Sequence, residues 1–215
     1  DVLVDRRVLI PRPETETVAR LAIEELRRMG EQVGPPNPWT SNLSHYAVAD
    51  LGTGSGVLAL ALAAALPDAE VWATDVSADA LAVARANVAG GGTLGVRIRI
   101  AEGSWFEALP VELRGSLLVV VANPPYIAGD EVLPDSVALW EPTDALVSGP
   151  TGFEALETIL SSAPAWLDPS GSLVLELAPH QAPTAVKLAR GAGFSDVTVE
   201  RDLAGRERVL VARRG

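Results

Sequence analysis

The alternation of strand-like and helix-like segments predicts an α/β fold: a doubly wound, mostly parallel seven-stranded sheet with an antiparallel edge hairpin. Three observations carry this. Unbroken apolar runs such as Leu117-Leu118-Val119-Val120-Val121-Ala122 recur along the chain, and such runs mark strands buried on both faces. A short strand-like run, Val48-Ala49-Asp50-Leu51, leads into Gly52-Thr53-Gly54-Ser55-Gly56 and then a helical run, Val57 to Leu66; strand, glycine loop and helix let a ligand approach the backbone closely. The last two strand-like runs are separated only by Asp202 to Arg206, which predicts a hairpin.

Asp1 to Ile10 alternates loosely, which predicts a strand or hairpin, and Pro11-Arg12-Pro13 ends it. Thr15 to Met29 reads as a helix, with Val18, Leu21, Ala22, Glu25 and Leu26 on neighbouring turns. Pro13 stands ahead of it, Glu14 and Glu16 suit its first turn, and Gly30 is the expected stop. Gly34 to Ser44 is rich in Gly, Pro, Asn and Ser, the composition of an exposed loop inserted ahead of the glycine strand. Strands are expected near 47–51, 70–75, 96–101, 116–122, 171–178, 195–200 and 207–213, and helices near 55–66, 78–89, 152–166 and 180–192, with a sharp break at Gly90-Gly91-Gly92. The expected organisation is a single domain over 1–215, with a lead-in over 1–45 and a doubly wound core over 46–215.

Composition narrows the function classes. A length of 215 residues suffices for one domain with a substantial core. The longest apolar helical run, Val57 to Leu66, is too short for a bilayer, and no secretory signal pattern is present. There is no cysteine, and only His45 and His180 offer imidazole, so no metal site is expected. A net charge of −11 disfavours a phosphate backbone as partner. The expectation is a cytoplasmic protein with no membrane, metal or direct nucleic-acid partner.

The motif richest in chemistry is Asn123-Pro124-Pro125-Tyr126, directly after the Leu117 to Ala122 strand. Neither proline can continue a strand ladder, so the chain stops at a strand's carboxyl end, where open α/β sheets bind ligands. The Asn123 amide offers a donor and an acceptor, the Pro124 carbonyl an acceptor, and the Tyr126 ring a flat wall; together they suit a planar amide or amine. The glycine loop reads D-x-G-x-G-x-G, and a dinucleotide fingerprint would need glycine where Val57 stands. Asp75 ends the next strand, about 20 residues past the glycines, the spacing at which such folds hold ribose hydroxyls. An acid there also suits a helix start, a role Ser77 or Asp79 could fill.

These features resemble the class I S-adenosylmethionine methyltransferases, and more closely the protein-(glutamine-N5) methyltransferases that modify peptide chain release factors, the HemK/PrmC family. The resemblance spans Val8-Leu9-Ile10-Pro11-Arg12-Pro13-Glu14-Thr15-Glu16, Asp50 to Gly56, Asp75, Ser104-Trp105-Phe106, Asn123 to Ile127, Glu141-Pro142 with Ala145-Leu146 and Gly149, Leu175-Glu176-Leu177 with Gln181, and Asp202 to Arg208. It implies a Rossmann-like class I methyltransferase fold. It also implies S-adenosylmethionine as cofactor, a class I release factor as protein partner, and the glutamine of its Gly-Gly-Gln loop as methyl acceptor. Gly52, Thr53, Gly54, Ser55 and Gly56 would form the cofactor loop, with Asp75 on the ribose, Trp105 at the adenine and Asn123 also among the cofactor-binding residues. Asn123, Pro124, Pro125 and Tyr126 would bind the substrate amide, with Asn123, Pro124 and Tyr126 in the catalytic role. The resemblance further implies that this chain is the catalytic part alone, because family members carry a small helical domain ahead of it.

Several positions keep two readings. Trp105 either stacks on the base or packs half-buried. Arg12, Glu14 and Glu16 shape the substrate cleft, or Glu14 and Glu16 simply favour the helix start. Glu141 and Pro142 buttress the cleft or anchor a loop. Ser104 stands where many relatives have Asp, and Leu175 to His180 lacks the family's usual glycine. His180 reads as a helix-start residue rather than a base. Rival functions are methylation of a ribosomal-protein glutamine, methylation of adenine N6 in nucleic acid, and a non-catalytic S-adenosylmethionine-binding module.

Overall fold

The computed structural model describes residues 2–33, 46–132, 134, 137 and 139–215. Seven strands form one sheet in the order β3-β2-β1-β4-β7-β9-β8. They are β1 (Tyr46–Leu51), β2 (Ala69–Asp75), β3 (Ile98–Glu102), β4 (Leu117–Ala122), β7 (Leu167–Glu176), β8 (Asp196–Arg201) and β9 (Glu207–Arg213). The pairs from β3 across to β7 are parallel, and β9 runs antiparallel to both β7 and β8. The expected mostly parallel sheet with an antiparallel edge hairpin is the one observed.

The alternation of side chains along each strand sorts the core into two layers. Val48, Val71, Val119, Val121, Val174 and Val209 face α1 (Pro13–Val33) and α2 (Val57–Ala65). Ala49, Leu51, Val120, Leu173, Leu175 and Leu210 face α4 (Glu154–Ser162) and α5 (Ala182–Gly191). Between β2 and β3 lies α3 (Ala78–Gly90), whose N-cap is Ser77: its side chain accepts from the Ala80 N–H at 3.2 Å. Ser77, not Asp75, therefore caps this helix by its side chain.

Register then fixes the position of the site. Thr74 lies opposite Leu51, Leu51 opposite Ala122, and Ala122 opposite Leu175. The residues one step further, Asp75, Gly52, Asn123 and Glu176, therefore stand side by side at the carboxyl ends of four adjacent strands.

Several boundaries differ from expectation. Residues 2–12 form no strand. Their backbone bonds to a side chain instead: Leu3 N–H donates to Asn87 Oδ1 at 2.6 Å, and Asn87 Nδ2 returns a bond to the Leu3 carbonyl at 2.9 Å. Helix α1 runs through Gly30 to Val33, since one glycine costs a helix only about 1 kcal/mol. A 3₁₀ segment, Gly92–Arg97, precedes β3. The expected 152–166 helix ends at Ser162 and gives way to a 3₁₀ turn, so β7 begins at Leu167. The expected 180–192 helix opens with a 3₁₀ turn, Pro179–Gln181. An unexpected two-stranded parallel pair joins β5 (Ile127–Ala128) to β6 (Val147–Gly149). The expected 34–44 loop lies outside the described residues. No described helix is long and apolar enough to cross a membrane.

Candidate active site

A cleft of about 400 Å³ opens above the ends of β1, β2 and β4. A recess of about 40 Å³ adjoins it, and Leu9, Asn123, Pro125 and Ala145 line both. Of the residues singled out in the sequence, Gly52, Thr53, Gly54, Ser55, Asp75 and Trp105 line the cleft. Pro124 and Tyr126 line the recess. Gly56 lies outside both linings: it is the residue before α2, at φ 81°, and an added Cβ would sit 3.4 Å from the Ala84 methyl.

The glycine loop is held from beneath. Thr53 N–H donates to the Thr74 carbonyl at 2.8 Å, and Thr53 Oγ1 donates to Asp50 Oδ2 at 2.6 Å. The same Asp50 oxygen accepts from the Ala59 N–H at 3.0 Å, tying the strand end to the first turn of α2. Gly52 adopts φ 68° and Gly54 φ 55°, a region that strongly favours glycine. At Gly52 a second constraint applies: an added Cβ would lie 3.2 Å from the Trp105 ring. Trp105 itself has φ 45°, an uncommon conformation for a bulky residue that brings its ring over the loop. Asp75 works with both oxygens, Oδ2 accepting from Gly54 N–H and Oδ1 from Ser77 N–H, each at 2.9 Å. A carboxylate has about four acceptor positions, so Asp75 keeps capacity toward the cleft. Glycine backbone, a carboxylate and an aromatic ring around one cleft suit a nucleoside with a vicinal diol.

At the junction of cleft and recess, Asn123 Oδ1 is buried and has no hydrogen-bond partner among the described residues. Its Nδ2 donates to Thr15 Oγ1 at 3.4 Å, and Thr15 Oγ1 donates to Glu176 Oε2 at 3.5 Å. The chain after the motif is pinned by β5 and β6: Ile127 N–H donates to the Leu146 carbonyl at 3.0 Å and Gly129 N–H to the Gly149 carbonyl at 2.9 Å. Gly152, at φ 80°, packs so closely that an added Cβ would lie 2.9 Å from the Tyr126 carbonyl oxygen. The Arg208 guanidinium carbon stands 6.0 Å from the Tyr126 ring centre. Burial, reinforced by Glu176, raises the Tyr126 hydroxyl pKa.

The lead-in segment is fastened to the rest of the site. Arg12 bonds the buried Glu141 at 2.5 Å, and Glu14 bonds Arg206 of the β8–β9 hairpin at 2.6 Å. Glu16 sits in the first turn of α1. His180 lies in the turn before α5, edge-on to Phe153, and lines neither cavity. Among the described residues no cluster of His, Asp and Glu could hold a metal. Sequence reasoning passed over Thr15, Glu176 as an individual group, and Arg208. The available signal for Glu176 was an acid inside the apolar run Leu173-Val174-Leu175-Glu176-Leu177.

Two buried acids give the fold an unusual pH response. Burial pushes Asp50 up to about 7 against the bonds from Thr53 and Ala59. Burial likewise pushes Glu176 up to about 7, opposed by Arg208 and reinforced by Glu14. Raised carboxyls bind protons in the folded state that the unfolded chain has already released, so their contribution is present at acid pH and is lost as pH rises through 7. We expect the thermal midpoint to fall between pH 5 and 7, at no more than about 1.4 kcal/mol per pH unit for each group. Asp50→Asn is expected to flatten that slope in calorimetry across the same interval; an unchanged slope would contradict the assignment.

A family model described as Methyltransferase small domain matches residues 40–139. The chain is 41% identical over 211 residues to the release factor glutamine methyltransferase of Deinococcus radiodurans, covering 98% of this chain and 68% of that protein. It is 42% identical over 214 residues to the same-named protein of Xylella fastidiosa strain Temecula1, covering 99% and 71%. Among solved structures, a methyltransferase from Pyrococcus furiosus superposes with a TM-score of 0.66 at 16% identity, covering 100% of this chain and 89% of that one. The N-terminal domain of human METTL16 in complex with SAH superposes with a TM-score of 0.64 at 21% identity, covering 99% and 75%. At those identities the structures speak to the fold. The sequence matches run through the glycine loop, the Asn-Pro-Pro-Tyr turn and the hairpin alike, and on them the chain belongs to the release factor glutamine methyltransferase family.

Proposed function

We propose that this chain transfers the methyl group of S-adenosylmethionine to the side-chain amide nitrogen of a glutamine, in the Gly-Gly-Gln loop of a class I peptide chain release factor. The observation that carries this reading is the buried, unpartnered Asn123 Oδ1 at the junction of cleft and recess. A buried acceptor without a donor is costly, and an amide N–H is the donor it lacks.

S-adenosylmethionine supplies, when bound, a methyl group already activated toward nucleophiles. Gly52 to Ser55 would approach it by backbone, Asp75 would accept from its ribose hydroxyls, and the Trp105 ring would cover its base; all line the larger cleft. The harder task belongs to the recess. An amide nitrogen shares its lone pair with its carbonyl and is a weak nucleophile. Asn123 Oδ1 and the Pro124 carbonyl accept its two N–H groups, orient it toward the cleft and favour positive charge building on nitrogen. Their contribution is positioning and electrostatic preorganisation. Pro124 and Pro125 limit the freedom of the turn, so little is lost in holding those acceptors. Tyr126 flanks the amide plane, and its own place is fixed by the β5–β6 pair, by Gly152 and by Arg208. In the product one amide N–H is replaced by N–CH₃ and one proton has left to solvent.

The recess also predicts specificity. Asn123 Oδ1, the Pro124 carbonyl and the Glu176 carboxyl present acceptors, which a substrate carboxylate would meet with like charge. Sites built to bond a substrate N–H reject analogues lacking it by roughly 10⁴-fold. The test is transfer of labelled methyl to recombinant class I release factor, wild type beside Gln→Ala and Gln→Glu in its Gly-Gly-Gln loop. Label on wild type alone is expected. Label on all three, or only on a ribosomal protein or nucleic acid offered in parallel, would overturn the reading.

A further inference from the structure

We infer that Thr15 and Glu176 are positioning residues for the transfer reaction: together they fix which end of the Asn123 side-chain amide faces the substrate. This rests on the proposed glutamine-methylating function. The two ends of an asparagine amide are nearly equal in shape and opposite in chemistry, one accepting and the other donating two hydrogens. The substrate nitrogen arrives with two N–H groups. With Oδ1 forward, Asn123 accepts one of them. Turned by half a rotation it presents N–H against N–H, which removes a bond and adds repulsion where the reaction develops positive charge. A rigid turn alone does not choose between these states, because both fill the same space.

The choice is made behind the side chain. Asn123 Nδ2 faces Thr15 Oγ1 at 3.4 Å, and that hydroxyl faces Glu176 Oε2 at 3.5 Å. A hydroxyl has one hydrogen, and an ionised carboxyl can only accept. The Thr15 hydrogen is therefore committed to Glu176, and the lone pairs left toward Asn123 match Nδ2 and not Oδ1. The polarity runs one way, from Asn123 through Thr15 to Glu176, and leaves Oδ1 as the unpartnered atom at the site. Thr15 and Glu176 are both buried, at 7% and 2% exposure. Both spacings are long, as is common in catalytic hydrogen bonds before the substrate is bound.

The fold brings these residues together for no local reason. Thr15 belongs to the first turn of α1, and the β4–β7 register that pairs Ala122 with Leu175 sets Asn123 beside Glu176. An acid at that strand end is a poor choice for packing alone: burial holds its carboxyl up to about 7. The groups that act on it are Arg208 of β9, Arg12 and Glu14 at the approach to α1 and in its first turn, and Tyr126 after β4. Arg208 and Arg12 favour the ionised, accepting form and Glu14 opposes it. Once protonated, Glu176 can donate to Thr15, and the relay loses its fixed polarity.

The test measures methylation of release factor by wild type, Thr15→Val, Thr15→Ser and Glu176→Gln, with the affinity for S-adenosylhomocysteine by calorimetry and the thermal midpoint of each. Thr15→Val keeps the shape and removes the hydroxyl. It is expected to lower kcat by about 10-fold, the worth of one hydrogen bond to a charged or preorganised partner, with nucleoside affinity unchanged; the midpoint falls modestly, because Asn123 Nδ2 loses its partner, and kcat is read well below it. Thr15→Ser is expected to restore kcat to within about 2-fold, because it restores the hydroxyl. Glu176→Gln is expected to lower kcat and to abolish the fall in rate expected of wild type as pH drops below about 7. Wild-type kcat in Thr15→Val, no rescue by Ser, or losses that track nucleoside affinity would each overturn the relay. A release factor left unlabelled by wild-type enzyme would instead overturn the functional reading itself.

Discussion

Asn123→Ala is expected to lower kcat for glutamine methylation by on the order of 100- to 1,000-fold, the range seen when a preorganised polar group is removed from a site of developing charge. The substitution takes away the buried, unpartnered acceptor at the junction of cleft and recess and leaves the rest of the turn in place. Thr15 loses a donor in the same change, but a hydroxyl whose own hydrogen is committed elsewhere tolerates that loss. Because the glycine loop, Asp75 and Trp105 are untouched, affinity for S-adenosylmethionine should move by no more than about 3-fold, well under the worth of one charged hydrogen bond. A kcat loss with retained nucleoside affinity is the signature of an interaction made mainly in the transition state. Equal losses in both would mean that Asn123 holds the cofactor and not the substrate amide. Steady-state kinetics with calorimetric binding, on the same preparation, separates the two.

Asp75→Ala is expected to act in the opposite sense, weakening S-adenosylmethionine binding by on the order of 100-fold while changing kcat at saturation much less. Hydrogen bonds to a charged group contribute about 1.5–3 kcal/mol each, and the free positions of this carboxylate suit a pair of ribose hydroxyls. The damage also reaches the loop, because Asp75 accepts from both Gly54 and Ser77 backbone N–H groups. Asp75→Asn keeps one oxygen and should fall between wild type and Ala. An unchanged dissociation constant in both variants would leave Asp75 as a loop brace only, which its two backbone bonds would explain unaided.

The parts of this molecule legible in the sequence are those set by short-range pattern. Runs such as Leu117 to Ala122 have a single stable home, between two helical layers, so strand identity followed from composition. The spacing of Gly52, Gly54 and Gly56 announced a glycine loop between strand and helix, and Asn123 to Tyr126 announced a chain that stops at a strand end. The failures have equally physical causes. Residues 2–12 alternate as a strand would, but their backbone groups found a side-chain amide, Asn87, far along the chain. Gly30 is a stop by its residue type, yet α1 is held by its packing on β4 and β7 and runs past it. Strands of two and three residues, like β5 and β6, are too short to show a period. Thr15 and Glu176 stand 161 residues apart; only the sheet register together with the packing of α1 on β4 and β7 places them behind the same asparagine. The insertion read over 34–44 falls outside the described residues.

The most direct test of the central claim is tandem mass spectrometry of a class I release factor incubated with this protein and S-adenosylmethionine. One added methyl group is expected, located on the side-chain nitrogen of the glutamine in the Gly-Gly-Gln loop, and it is expected to disappear with Asn123→Ala. A methyl group on any other residue, or an unmodified factor in the presence of demonstrably bound S-adenosylmethionine, would contradict it.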